Sequence, residues 1–274
     1  MRTFLALILL ALIGYPGRVE AGAWAQPQGE RYLKFSIISY DADKHFDGDG
    51  DKQALGTMDD SFHAEQGFLY AEYGALNRLT VIGQTSWGTL ESDSSLLQRT
   101  TSGLGDIELG AKYQLTDGPI VLAPFISLKL PFAYDSDDDP ALGTGDADLE
   151  FRLLASRSLY PVPAYIGAEF GYRLRGGQFS NQLPYAVEVG ASPHARLFAK
   201  LYLSGINTLL SDGGFSQAMD SMSTQVSEGD FTKWGFAVAG NVTGPLWVDL
   251  LYESIFTGKN TGAGNSVGIG LSWH

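Results

Sequence analysis

The sequence predicts an all-β fold, a transmembrane antiparallel up-and-down β-barrel of about twelve strands. Three observations predict it. From residue 30 onward, apolar and polar residues alternate in about a dozen segments. The gaps between those segments are by turns long and short. Beyond the first twenty residues, no segment is apolar enough for a membrane helix. Leu104–Leu115 shows the alternation best: Asp106, Glu108, Gly110, Lys112 and Gln114 share one face, and Ile107, Leu109, Ala111, Tyr113 and Leu115 the other. A soluble sandwich buries the oily face, whereas a membrane barrel turns it to lipid and keeps the polar face in the lumen. Loop length decides between them. Every long connection follows an odd-numbered strand, the order expected of short periplasmic turns and longer outer loops, with both termini in the periplasm.

Residues 1–21 read as a secretory signal. Arg2 gives a positive start, Phe4–Ile13 a short apolar core, and Val19-Glu20-Ala21 a small-x-small cleavage site. The core is too short to span a bilayer, where about 20 residues are needed. Residues 22–274 then form one barrel. Its strands are expected near Tyr32–Tyr40, His63–Gly74, Leu79–Thr89, Leu104–Leu115, Val121–Phe132 and Asp146–Ser158. The second half adds Ala164–Arg175, Tyr185–Ala191, Leu197–Ile206, Thr232–Val242, Trp247–Phe256 and Val267–Trp273. Turn-forming residues fill the short connections, among them Asn77, Asp117-Gly-Pro119, Pro161 to Pro163 and Gly244-Pro245. The long loops are Asp41–Phe62, Glu91–Gly103, Asp135–Gly145, Gly176–Pro184, Leu210–Phe231 and Thr257–Asn265. Pro124 and Pro131 predict a bulge or an irregular outer end in the fifth strand, because proline removes a ladder hydrogen bond. The sequence leaves open whether a helix-like plug forms from the mature start or from the Leu210–Phe231 loop.

Composition narrows the chemistry. The chain has no cysteine, which excludes disulfide scaffolds, thiol catalysis and thiolate metal sites. Net charge is −13, becoming −14 without Arg2, Arg18 and Glu20, so a nucleic-acid partner is not expected. The 34 glycines, 13 tyrosines, 15 phenylalanines and 5 tryptophans suit strands, tight turns and interfacial aromatics. Rows such as Leu33/Phe35/Ile37, Ile166/Ala168/Phe170 and Val267/Ile269/Leu271/Trp273 are assigned to lipid. The lumen row then holds Lys34, Glu72, Asp106, Glu108, Lys112, Lys129, Asp148, Glu150, Arg152, Glu169, Arg173, Arg175, Lys200, Asp249 and Glu253, with Glu65, Glu188 and Lys233 on the same side. Near-balanced signs predict ion pairs across the interior. Twelve strands lie between barrels filled by side chains and barrels holding a water channel.

Gly103–Leu115 and Gly145–Ser158, each opening on glycine and aspartate, resemble the outer-membrane barrels known as meta-pathway phenol-degradation transporters, as does the mature start Gly22-Ala-Trp-Ala-Gln-Pro27. The resemblance implies passage of small molecules, aromatic or apolar compounds among them, across a bacterial outer membrane. The expected partners are outer-membrane lipid and lipopolysaccharide, a small-molecule solute and the barrel-assembly machinery, with no cofactor.

Other chemistries fit less well. The acidic run around Asp47, Asp49 and Asp51 lacks the glycine and glutamate spacing of a calcium loop in either register, so these aspartates are weak metal candidates and no metal site is expected. The four histidines lie in a loop, a strand start, a turn and the terminus, away from any mid-strand serine, and no enzyme is expected. The expected function is therefore a passive outer-membrane channel or facilitator. The alternative is a non-conducting barrel whose acidic outer loops serve surface attachment, matrix assembly or envelope integrity.

Overall fold

The computed structural model describes residues 22–56, 60–94, 97–209 and 229–274. The expected signal segment and most of the Leu210–Phe231 loop lie outside the described residues. In chain order the strands are β1 (Arg31–Ala42), β2 (Lys44–Phe46), β3 (Lys52–Ala54), β4 (Ser61–Leu76), β5 (Leu79–Asp93), β6 (Gln98–Tyr113), β7 (Val121–Leu130) and β8 (Asp148–Ser158). There follow β9 (Ala164–Leu174), β10 (Gln182–His194), β11 (Leu197–Thr208), β12 (Asp230–Thr243), β13 (Leu246–Lys259), β14 (Thr261–Gly262) and β15 (Asn265–Trp273).

A strand that alternates charge with hydrocarbon needs two different environments, and closing the sheet supplies them. Twelve strands form one closed antiparallel barrel, sealed where β1 meets β15 from Leu33↔Trp273 to Asp41↔Asn265. Closure leaves no unpaired edge, which a bilayer would not tolerate. Leu153, Phe170, Leu250 and Val267 stand exposed on the outer wall, and Tyr73, Tyr113 and Trp273 ring its short-turn end. Gly22 and His274 lie at that same end, His274 donating its backbone N–H to Pro245 O at 3.1 Å.

Three expectations need correction. The Glu91–Gly103 segment is not a loop. The β5–β6 ladder continues to Asp93↔Gln98, with Thr89 and Ser102 sharing a hydroxyl hydrogen bond of 2.8 Å. Its residues are polar on both faces because this end of the hairpin stands in water, so the alternation that marks a membrane strand is missing. Second, β2, β3 and β14 form a small sheet within the long loops. Third, Glu65 points outward with its side chain 72% exposed, beside His63. It lies seven residues from Glu72, so the two fall on opposite faces of a regular strand. Pro124 is accommodated because the β6–β7 ladder begins only at Lys112↔Phe125, while Pro131 follows the end of β7.

The Asp47 loop is held by its own backbone. Asp47 Oδ1 accepts N–H bonds from Asp51 at 2.9 Å and Asp49 at 3.0 Å, and Gln53 donates to Oδ2. These donors, Asp51 first, hold the carboxyl below its ordinary value. Asp47, Asp49 and Asp51 thus build a turn, and no grouping of three or more metal-ligating side chains occurs among the described residues.

Candidate functional site: the barrel interior

The inward faces divide the barrel into three levels. At the long-loop end the interior is apolar. Tyr40, Phe62, Leu90, Ile206, Phe231 and Ile255 turn in from the wall, and Leu142 joins them from the β7–β8 connection. Phe62 and Tyr40 are 1% exposed, Leu90 fully buried, and the Tyr40 and Phe62 rings meet edge-on at 6.1 Å. Alternation read with the polar row inward does not reveal this level, because here the inward residues are apolar and their neighbours, such as Asp41, His63 and Glu91, are polar.

Below it lies a belt of buried charge. Lys129 on β7 sits between Asp148 at 2.8 Å and Asp106 at 3.4 Å, and Arg175 approaches Asp148 at 3.8 Å. The connection between β7 and β8 is tied into this belt: Tyr134 donates to Asp106 Oδ1 at 2.5 Å, and Lys129 donates to Thr144 Oγ1 at 2.9 Å. Glu150 takes Arg173 at 2.6 Å and also bonds Arg152, which reaches Glu169 at 3.0 Å. Asp148 faces Lys129 and Glu150 faces Arg173 as direct register partners, so the ladder itself juxtaposes opposite charges.

The third level surrounds a cavity of about 420 Å³. Lys34 pairs with Asp249 at 2.8 Å, Lys112 with Glu72 at 3.4 Å and Lys200 with Glu188 at 3.2 Å, while Lys233 pairs with Glu253 at 3.0 Å higher up, one inward row from Phe231 and Ile255. Tyrosine hydroxyls extend the network, Tyr70 to Glu72, Tyr165 to Glu188 and Tyr202 to Glu253. Glu108 sits opposite Lys129 in the β6–β7 register and lines the cavity. The structure thus places all fifteen candidate residues on the inner wall, seven cations and eight carboxylates, with Lys34, Glu169 and Lys200 the most open.

The cavity is floored by residues 22–29, which the strand pattern does not reveal. Ala23 N donates to Ser156 Oγ at 3.0 Å, Ala25 N to Gln114 Oε1 at 2.8 Å and Gln26 N to Thr80 Oγ1 at 2.8 Å. Gln26 Nε2 reaches Glu72 at 3.1 Å, and Lys112 donates to Gly22 O at 3.3 Å. Trp24 stands edge-on to Tyr165 at 5.5 Å, beside Phe198 and Trp247. His274 closes the same corner against the Tyr32 ring at 4.8 Å, and burial lowers its pKa. Gly74 makes room for the segment: a Cβ there would collide with the carbonyl oxygens of Gln26 and Pro27. The only sequence sign of this segment is Trp24, an aromatic residue outside any strand pattern.

Comparison with solved structures finds proteins of similar barrel fold. The COG4313 outer membrane channel from Pseudomonas putida F1 superposes with a TM-score of 0.74 at 15% identity, covering 93% of this chain and 99% of that one. The NanC porin gives 0.57 at 10% identity, over 88% and 99%. The KdgM porin, solved with disordered oligogalacturonate, gives 0.53 at 6% identity, over 89% and 98%. No family model matches the sequence, and no curated protein matches it.

Proposed function

We propose that this protein is a passive channel of the bacterial outer membrane, with its short-turn end and both termini in the periplasm, and that small molecules cross through its interior. One observation carries the reading. A mid-barrel cavity of about 420 Å³ lies between two closures, one formed by a segment outside the wall and the other by an apolar layer of wall residues joined by Leu142. Its volume suits a small ligand. Residues 22–29 close one end, and the β7–β8 connection with its apolar neighbours closes the other. The fold shared with solved outer-membrane channels supports the same reading.

The lining narrows the solute. Acidic sugars call for an excess of arginine and lysine, whereas the interior residues named above, with Lys233 and Glu188, set eight cations against nine carboxylates. Tyr70, Phe125, Phe198 and Trp247 line the cavity beside those ion pairs, which suits a small amphipathic compound with an aromatic or apolar body and one polar group. The phenol-degradation transporters that the sequence resembles point to the same class. Lipopolysaccharide around the acidic loops and the barrel-assembly machinery complete the expected partners.

The test is single-channel conductance in planar bilayers. One sample is the chain from Gly22; the other lacks residues 22–28 and has a short glycine-serine turn in place of 134–144. Removal of these two segments is expected to raise conductance severalfold, since the lumen then holds only its wall side chains, the apolar layer among them. A folded double variant that stays silent would instead favour the loop-centred, non-conducting barrel.

A further inference from the structure

The lipid-facing wall over β8–β12 is concave. Cross-strand register sets Ala155 beside Ala168, Ala168 beside Val187, Val187 beside Leu203 and Leu203 beside Trp234. The rows above and below this one are bulkier. Leu153 and Phe170 stand 53% and 58% exposed on one side, and Ile166 with Val189 flank the other. The two alanines leave a trough of about 890 Å³ between them. Arg157 stands at its short-turn end, opposite Ile166 and one residue from the end of β8. It is exposed, and it has no ion-pair or hydrogen-bond partner among the described residues. An unpaired guanidinium on the outer wall of a barrel, at the level where strands give way to turns, faces the phosphate layer of a membrane.

We propose that this trough binds one diacyl phospholipid of the periplasmic leaflet, an acyl chain lying along the row Ala155–Ala168–Val187–Leu203–Trp234 and the phosphate on Arg157. Length agrees. The row from β8 to β12 crosses four strand spacings of about 4.8 Å, roughly 19 Å. With strands tilted about 40°, that path climbs roughly 12 Å along the membrane normal, close to half of a hydrocarbon core about 30 Å thick. The charge selects the occupant. A second copy of the chain would bring its own apolar wall to the trough but no anion to Arg157, whereas a phospholipid brings both hydrocarbon and phosphate. The leaflet follows from the orientation proposed above, which puts Arg157 on the periplasmic side.

The experiment is native mass spectrometry of the chain extracted from membranes in mild detergent. Three variants accompany it: Arg157→Gln, Ala168→Phe and, on another part of the wall, Leu250→Phe. Heat-dependent gel mobility reports folding for each. The wild type and Leu250→Phe are expected to retain one phospholipid. Arg157→Gln should lower the bound fraction about fivefold, the effect of one basic contact at a membrane surface. Ala168→Phe, by filling the trough, should lower it about tenfold. A wild type that carries no phospholipid, retention unchanged in both Arg157→Gln and Ala168→Phe, or lipid A bound in place of phospholipid would each overturn the proposal. A dimer dissolved by Ala168→Phe would overturn it in favour of the second copy.

Discussion

The two ends of this barrel are closed by opposite chemistry. At the long-loop end the closure is a hydrophobic core, with Tyr40, Phe62 and Leu90 almost fully buried around Leu142. At the short-turn end it is a polar tether, whose backbone N–H groups donate to Ser156, Gln114 and Thr80. A core gains from every contact at once. Single hydrogen bonds contribute only about 1 kcal/mol each net, against about 1–2 kcal/mol per residue for ordering the backbone. The first closure is therefore part of what keeps the barrel folded, and the second can leave without unfolding it. Two plugs in one lumen need not have one purpose.

Substitutions can break or sharpen that contrast. Phe62→Ala should have the largest effect, a loss of about 4 kcal/mol from cavity formation at the apolar end, read as a lower unfolding temperature by circular dichroism. Lys129→Met comes next, at about 3 kcal/mol, because it leaves Asp106 and Asp148 buried without their shared cation. Adding Asp148→Asn should return part of that loss. An unchanged melting temperature in Lys129→Met would show that the belt contributes nothing to stability. Gly74→Ala acts at the other end and should cost only about 1–2 kcal/mol. Its sign is local: the residues around Trp24 should become accessible to protease while the barrel stays folded. If Gly74→Ala melts the barrel as Phe62→Ala does, the contrast between the ends fails.

The smallest effect concerns pH in the loop sheet. Asp47 has a folded pKa below its ordinary value of 3.8. Its contribution is complete above that value and is lost as pH falls through the lower folded value. Protection of the Asp49 and Asp51 amides, measured against their free exchange rates at each pH, should therefore fall only in strong acid, with the barrel strands unchanged. Protection already lost near neutral pH would count against the turn.

Much of the wall was legible in the sequence, because a bilayer outside and charge inside impose a strict period of two. Leu104–Leu115 shows this in its own residues. Legibility fails where one of the two surroundings changes. At Thr100–Ser102 both faces meet water, and a strand pair looks like a loop. At Tyr40, Phe62 and Ile255 the inner face turns apolar, so the inward row stops being polar before the strand ends. Residues 22–29 have no period at all. Their hydrogen bonds join backbone N–H groups to single side chains on separate strands, a pattern that short-range spacing does not encode.

Those same bonds fix an order of events. The seat of residues 22–29 is assembled from Glu72 and Gly74 on β4, Thr80 on β5, Gln114 just past β6 and Ser156 on β8. The full set of acceptors is in position only once β4 to β8, five of the twelve wall strands, have paired. The residues synthesised first among the described part of the chain are thus placed after strands that follow them in sequence. Biogenesis must keep this leading stretch slack while later hairpins are laid down, and the finished wall then serves as template for its own beginning.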